Sequence, residues 1–279
     1  MYSIPPFDSA LTFLLGTLAI FAVVTGRYLL MAGGFYIYFY IWRKEQWQKR
    51  KLGAKNYSRQ QFRRELGYSM ATAGIFAVTG ALMVLAWQHG YTKIYLDPAE
   101  YGYWYLPVSL VLYLLIHETY YYWLHRWMHK PAVFSVVHKV HHLSTITSPW
   151  TAFSFHPVEG LLQAVILPAM LFLIPIHPYT LLVQLTLMTI TSVINHLDVE
   201  IYPANSNKHW FGKWWIGATH HSLHHKQFKY NYGLYFTLWD KLKKTESPVF
   251  EELFEEKTKS SQVGGRRSKD KKALRMNEP

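Results

Sequence analysis

Long apolar blocks separated by short polar stretches dominate residues 10–194. Ala10–Trp42 contains a single charged residue, Arg27. Met70–Trp87 has no charge over eighteen positions, about the length of a transmembrane helix. Tyr101–Ile116 is likewise uncharged, and Leu161–Ile176 and Tyr179–Ile194 are parted only by His177-Pro178. These blocks predict an all-α chain with about four to five membrane crossings or re-entrant hairpins. Ala10–Trp42 reads as one long helix or as a tight pair turning near Arg27 and Gly33–Gly34. The block that starts at Tyr101 continues through "LLIHETYYYWLHRWMH", and Pro131 should end that helix, because proline disfavours helix at the residue before it. The expected organisation is N-terminal membrane helices with a basic loop over 1–100, a catalytic domain over 101–245 and a polar tail over 246–279. The tail starts with a short amphipathic piece and is disordered beyond it.

Composition changes this picture in one respect. Mean hydropathy is only −0.03, because the apolar blocks are offset by a substantial polar lobe. The formal net charge of +12 is unevenly placed: residues 43–64 hold nine Lys/Arg against one Glu, and the C-terminal tail is also basic. The loop over 88–100 has only Lys93, with Asp97 and Glu100. The positive-inside rule then puts 43–64 and the tail in the cytoplasm and 88–100 on the other side. Such basic runs next to apolar segments suit membrane lipids as partners, and no nucleic-acid role is expected. The first residues carry no basic n-region, so no cleavable signal peptide is expected.

The histidines follow the same topology. Of fifteen, five lie in "HRWMHKPAVFSVVHKVHH" (125–142) and four in "HHSLHH" (220–225), all on the cytoplasmic face of this threading. His125 and His129 are four apart, on one face of a helix. His138, His141 and His142 occupy i, i+3 and i+4, and His221, His224 and His225 repeat that spacing. A tetrahedral zinc takes four protein ligands, so eight converging imidazoles suggest two metal ions with open positions. Imidazole alone does not choose among zinc, copper, iron and nickel. The absence of cysteine excludes thiolate-ligated haem and Cys-held iron–sulfur clusters. No Glu-x-x-His occurs, against a carboxylate-bridged di-iron bundle, and no His-Glu-x-x-His, against a zincin protease. An all-nitrogen pair of irons is attractive because removing hydrogen from an unactivated carbon needs redox chemistry that zinc lacks. A zinc-dependent membrane hydrolase and a metal transporter are the rival readings; transport would need charged residues in mid-membrane, where only Arg27 is a candidate.

"HRWMH", "HKVHH" and "HHSLHH" resemble the three histidine boxes of the sterol desaturase and fatty acid hydroxylase superfamily. The likeness extends to "SPWTAFSFHPVEGLLQ" (148–163) and "GATHHSLHHKQFKYNYGLYFTLWDKL" (217–242), and covers roughly 110–245. Within the superfamily these segments look most like the sterol C-5 desaturases. The resemblance implies a membrane-bound enzyme with a cytoplasmic helical lobe, in the endoplasmic reticulum or a bacterial inner membrane. It implies two iron ions, O2 as co-substrate, and electrons passed from NAD(P)H through a reductase and a b-type cytochrome or ferredoxin. The substrate would be a sterol or other lipid, desaturated or, alternatively, hydroxylated. The implied catalytic and metal residues are His125, His129, His138, His141, His142, His221, His224 and His225. His196, in "NHLDVE", matches an isolated metal-binding histidine of the family. The hydroxylases place a further histidine four residues earlier, where this chain has Ser192. His117, His156 and His220 are weaker candidates, and Asp198, Glu200, Asn231 and Asp240 are candidates to hold the outer ring nitrogens. Tyr120–Trp123 and Trp127 could wall a lipid cleft.

Overall fold

A computed structural model describes residues 6–53 and 57–259; the tail expected to be disordered at 260–279 lies outside the described residues. The described chain is all helix, with three isolated β-bridges and no strand. Ala10–Trp42 forms one continuous rod: α1 (Ala10–Tyr36), capped by Ser9, runs on as a π-helical turn through Trp42. It does not turn at Arg27 or at Gly33–Gly34. A short α2 (Lys44–Trp47) precedes α3 (Arg59–Gln88), which Ser58 caps by accepting from Gln61 N. The 33-residue rod and α3 are long and apolar enough to cross a membrane.

Small residues spaced four apart let α1 and α3 approach closely. Ala73, Ala77 and Ala81 of α3 are buried, and they face Val24, Tyr28 and Ala32 of α1. The opposite side of α1 exposes Leu11, Leu14, Leu15, Leu18 and Leu30. An apolar face of this length suits hydrocarbon better than water. α4 (Tyr105–Met128) ends where Pro131 predicts, and Pro131 itself starts α5 (Pro131–Val137) at its first position. α6 (Lys139–His142) follows directly.

The two expected apolar blocks after Leu161 are less regular. The first is split into α7 (Pro157–Ala164) and α8 (Ile166–Leu173), and the second is α9 (Pro178–Asn195). α8 packs on α4 through Tyr113, whose hydroxyl donates to the Ile174 carbonyl at 3.0 Å. α10 (Ala218–Gln227) and α11 (Leu238–Lys243) complete the polar lobe. The amphipathic piece after Ser247 is a last helix, α12, over 250–259, which buries Phe250 and Phe254 against Leu223 of α10.

Candidate metal centre

Each histidine group reaches the centre by a different local device. On α4, Tyr121 and His125 share a buried stripe, and His129 caps the helix end one turn further on. The Pro131 break turns the chain back so that α5 and α6 present His138, His141 and His142. α10 buries every residue from Ala218 to His225, so all four of its histidines face inward. His196 caps the C-terminus of α9. After α10 the chain is held in a left-handed conformation at Phe228 (φ 66°), an uncommon state for a bulky residue. That turn stacks the Phe228 ring on His142, centroids 4.7 Å apart.

The nine histidines fall into two groups. One contains His125, His129, His138, His142 and His224; the other contains His141, His196, His221 and His225. Within each group one nitrogen per ring lies within 4.8 Å of all the others. Neighbouring His141 and His142 therefore serve different groups, and the groups adjoin through His142 and His225, whose ring centroids are 4.6 Å apart.

The outer nitrogens decide the state of the inner ones. Nδ1–H of His125 donates to the Tyr232 carbonyl at 2.9 Å, His224 to Tyr230 at 2.7 Å, His196 to Ser192 at 2.7 Å and His141 to Ser154 at 3.2 Å. His138 Nδ1 donates to the Glu159 carboxylate at 2.8 Å. A carbonyl can only accept, so these rings carry their proton on Nδ1 and leave Nε2 as a bare lone pair. Yet Nε2 of His125 and His138 are 3.1 Å apart, and those of His141 and His196 are 3.2 Å apart. His129, His142 and His224 form a triangle with all three Nε2 separations at 3.1 Å. At His141 and His196, where both Nδ1 protons are fixed by carbonyls, the facing Nε2 lone pairs repel, and a cation between them removes the conflict. The donor set thus fits metal.

Electrostatics agree. Burial first, and then the neighbouring imidazoles, push His138, His141, His142, His221, His224 and His225 well below the ordinary histidine range. His196 is lowered to about 4 and His129 to about 2, burial again the main cause. The rings stay neutral at physiological pH, as metal ligation requires. Nδ1 of His142, His221 and His225 is buried without a partner among the described residues.

Three weaker candidates lie apart from both groups. His117 Nδ1 meets Gln184 Nε2 at 3.3 Å and the Tyr235 hydroxyl at 2.9 Å. His156 accepts from Val158 N and caps α7. His220 stacks on Phe250 at 3.6 Å and reaches Glu246. The four polar residues expected to hold ring nitrogens do other work. Glu200 accepts from Thr219 and Tyr202, Asp240 from the Tyr232 and Gly233 amides, and Asn231 bridges the His220 carbonyl and the Ser247 amide. One Asp198 carboxylate oxygen has no partner among the described residues. The carboxylate that does hold a ring is Glu159, within the quoted "FHPVEG", where the sequence reading singled out His156 instead. Glu118 also went unnoticed: it is fully buried one turn before Tyr122 and accepts from the amides of Leu234, Tyr235 and Phe236, fixing the loop whose Tyr232 carbonyl orients His125.

An apolar cavity of about 120 Å³ opens between α1, α3, α4, α8 and α9, with Val24, Phe76, Gln184 and Met188 among its walls. A smaller one adjoins it, sharing Phe76, His117, Gln163 and Met188. That second cavity reaches Tyr121, which packs on His125, and Phe155, which packs on His141. Of the aromatic residues expected to wall a cleft, Tyr121 does so, whereas Trp123 and Trp127 are exposed.

Comparison with known proteins follows this geometry. The fatty acid hydroxylase family profile matches residues 110–245. A Delta(7)-sterol 5(6)-desaturase of Eremothecium gossypii is 34% identical over 211 residues, 74% of this chain and 57% of that protein. Human lathosterol oxidase is 31% identical over 187 residues, 66% of this chain and 60% of that protein. A Delta(7)-sterol 5(6)-desaturase of Gibberella zeae is 30% identical over 182 residues, 65% of this chain and 55% of that protein. The chain thus matches a little over half the length of these curated relatives. No solved structure matches it.

Proposed function

We infer, from a chain that belongs to the fatty acid hydroxylase superfamily as a sterol desaturase-like member, that it is a membrane-bound oxidoreductase that uses O2 to oxidise a C–H bond of a lipid, desaturating a sterol in the first instance. One observation carries the reading: two adjoining all-imidazole clusters with bare, mutually facing Nε2 atoms sit at the inner end of an apolar cavity.

His125, His129, His138, His142 and His224 would hold one iron, and His141, His196, His221 and His225 the other. Imidazole nitrogens suit iron, and the group of five exceeds the four protein ligands of a structural zinc. When bound, two irons would supply O2 activation and removal of hydrogen from an unactivated carbon. The chain's own residues orient the ligands through the Tyr232, Tyr230, Ser154 and Ser192 carbonyls and Glu159, and they exclude water. Phe155 and Tyr121 separate the ligand rings from the cavity, so the substrate carbon approaches through an apolar wall. Desaturation takes two hydrogens from neighbouring carbons, whereas hydroxylation takes one and returns oxygen; both begin alike and part on substrate placement.

Two electrons per turnover come from outside, because the described residues offer only the histidine sites for a redox group. A b-type cytochrome or ferredoxin fed by an NAD(P)H reductase fits, and the basic polar side would attract an acidic donor. The excess of Lys/Arg over 43–64 supports a cytoplasmic position for the histidine lobe. The test is product formation from a Δ7 sterol by iron-loaded protein with reductant, with and without O2. A new double bond should appear only with O2. Product formed without O2, or full activity from protein carrying zinc alone, refutes the reading, and a hydroxysterol in place of the diene assigns hydroxylation.

A further inference from the structure

Arg27 is the one charged residue in the Ala10–Trp42 rod and lies near its middle. About 26 Å of helix precede it and about 22 Å follow, so in a rod that crosses a membrane it stands far from both ends. An ionisable group so placed marks a functional site by default. Its guanidinium is always charged. Among the described residues Arg27 has no hydrogen-bond or ion-pair partner, and its Nε is buried. It lines the larger apolar cavity.

The same cavity holds a second unsatisfied group. Gln184 is 1% exposed and gives its Nε2 to His117, while its Oε1 has no partner. Gln163, also on the wall, donates to Glu159, the carboxylate that holds His138. The lining includes one cation, two amides, a histidine and a threonine, and no carboxylate. Arg27 offers donors and Gln184 Oε1 an acceptor, so the wall suits an oxygen that accepts from the guanidinium and, as a hydroxyl, also donates to the amide oxygen. At about 120 Å³ the cavity is smaller than the roughly 300–1,000 Å³ that encloses a whole ligand. It suits one oxygenated end, with the remaining hydrocarbon leading toward Tyr121 and Phe155 or out among the membrane-facing side chains.

We propose that Arg27 is the positioning residue for the lipid substrate: its guanidinium donates to the oxygen at the polar end of the lipid, and where that oxygen is a hydroxyl it donates in turn to Gln184 Oε1. The inference rests on reading the histidine centre as a lipid-oxidising site, and it deepens that reading by naming what the substrate must carry. Two lipid classes offer Arg27 an accepting oxygen, a sterol with a hydroxyl at C3 and a fatty acid with its carboxylate, and only the hydroxyl can also donate to Gln184 Oε1. The anchor fixes which carbon faces the ligand rings, a placement worth orders of magnitude in rate when it slips by an ångström.

The experiment uses the full chain in lipid nanodiscs under argon, so that binding is measured without turnover. Wild type, R27K and R27M are each titrated with a Δ7 3β-hydroxysterol, its 3-deoxy analogue, an 18-carbon fatty acid and the matching alkane. Wild type should bind one oxygenated lipid about ten- to a hundredfold more tightly than its deoxy partner. R27M should abolish that preference, and R27K should keep part of it, with metal content equal in all three proteins. A preference in the sterol pair identifies the C3 oxygen, and one in the acid pair the carboxylate. R27M should also raise the thermal midpoint of ligand-free protein, because it removes a half-buried charge that has no partner among the described residues. Equal binding by wild type and R27M, or no wild-type preference for either oxygenated lipid, overturns the proposal. Failure of the functional reading shows elsewhere, as a lipid-bound, reduced wild type that consumes no O2.

Discussion

Replacing Glu159 tests whether the five-nitrogen cluster is wired as the structure shows. Glu159 and His138 are both fully buried, and Nδ1 of His138 donates to Glu159 Oε1 at 2.8 Å. A hydrogen bond to a charged acceptor contributes about 1.5–3 kcal/mol. At about 1.4 kcal/mol per tenfold, its loss weakens metal binding by roughly ten- to 150-fold, in the range typical of groups that orient a ligand from behind. E159Q keeps an acceptor oxygen and should fall at the low end. E159A leaves the His138 N–H without a partner and should fall at the high end. Metal-free protein should respond in the opposite direction to E159Q: Glu159 Oε2 has no partner among the described residues, so the amide removes a poorly compensated buried charge. The assay is metal content per chain during titration with a chelator, beside the thermal midpoint of metal-free protein. One of two metals should become labile while the other persists. E159Q that keeps both metals with wild-type chelator resistance, or that loses the metal held by His196 and His221 instead, refutes the wiring.

The same division predicts that H142A and H225A each lower tightly bound metal from two ions per chain toward one, whereas H220A keeps both and instead loosens α12, because His220 stacks on Phe250; metal loss in H220A would place that ring in the centre. Metal-free protein should lose stability on acidification. Burial holds His196 at about 4 and His129 at about 2, against about 6.5 in the unfolded chain, so the unfolded state binds more protons as pH falls. The stability present above pH 6.5 is therefore lost progressively below it, and a thermal midpoint that stays flat from pH 7 to 5 contradicts the buried neutral rings. G233A should cost about 1–3 kcal/mol and labilise the metal held by His125, because the new Cβ would lie 2.6 Å from the Phe236 carbonyl oxygen and 2.9 Å from Glu118. Wild-type unfolding and metal content in that variant would show the turn is not needed to aim Tyr232.

The helix stop at Pro131 and the i, i+3, i+4 phasing of the histidines were legible because they depend on local geometry, which spacing encodes. The partition of the rings was not. His141 and His142 are sequence neighbours, yet about 100° of helical rotation separates them and sends them to different clusters. Hydropathy also marked Ala10–Trp42 correctly, but could not choose between a rod and a pair. The glycines near Arg27 permit a turn, and only the packing of Val24, Tyr28 and Ala32 on the α3 alanines decides for the rod. The outer partners of the rings failed for another reason. Polar residues near the third box were natural candidates, but four of the five identified acceptors on ring Nδ1 atoms are main-chain carbonyls, to which any side chain is compatible. Glu159 is 21 residues from His138 on a separate element, and no period links them.

The buried carboxylates show how the lobe tolerates so much polarity without water. Glu65, fully buried on α3, accepts from Ser144, Ser148, Thr151 and Gln61, and so pins the stretch that follows the second histidine cluster. Glu118 pins the loop that follows the third. Both stand on long helices that also contribute walls to the cavity, and both act on segments whose carbonyls, at Ser154 and Tyr232, aim ligand rings. A buried carboxyl group that accepts from three or four donors resists movement, because releasing any donor leaves an unpaired polar atom in a low dielectric. The histidine rings are thus tied to the same two helices that wall the apolar cavity, one carrying Phe76 and the other His117. Displacing either helix would shift a carbonyl and with it a ring, so this arrangement couples the shape of the cavity to the placement of the histidine rings through main-chain atoms.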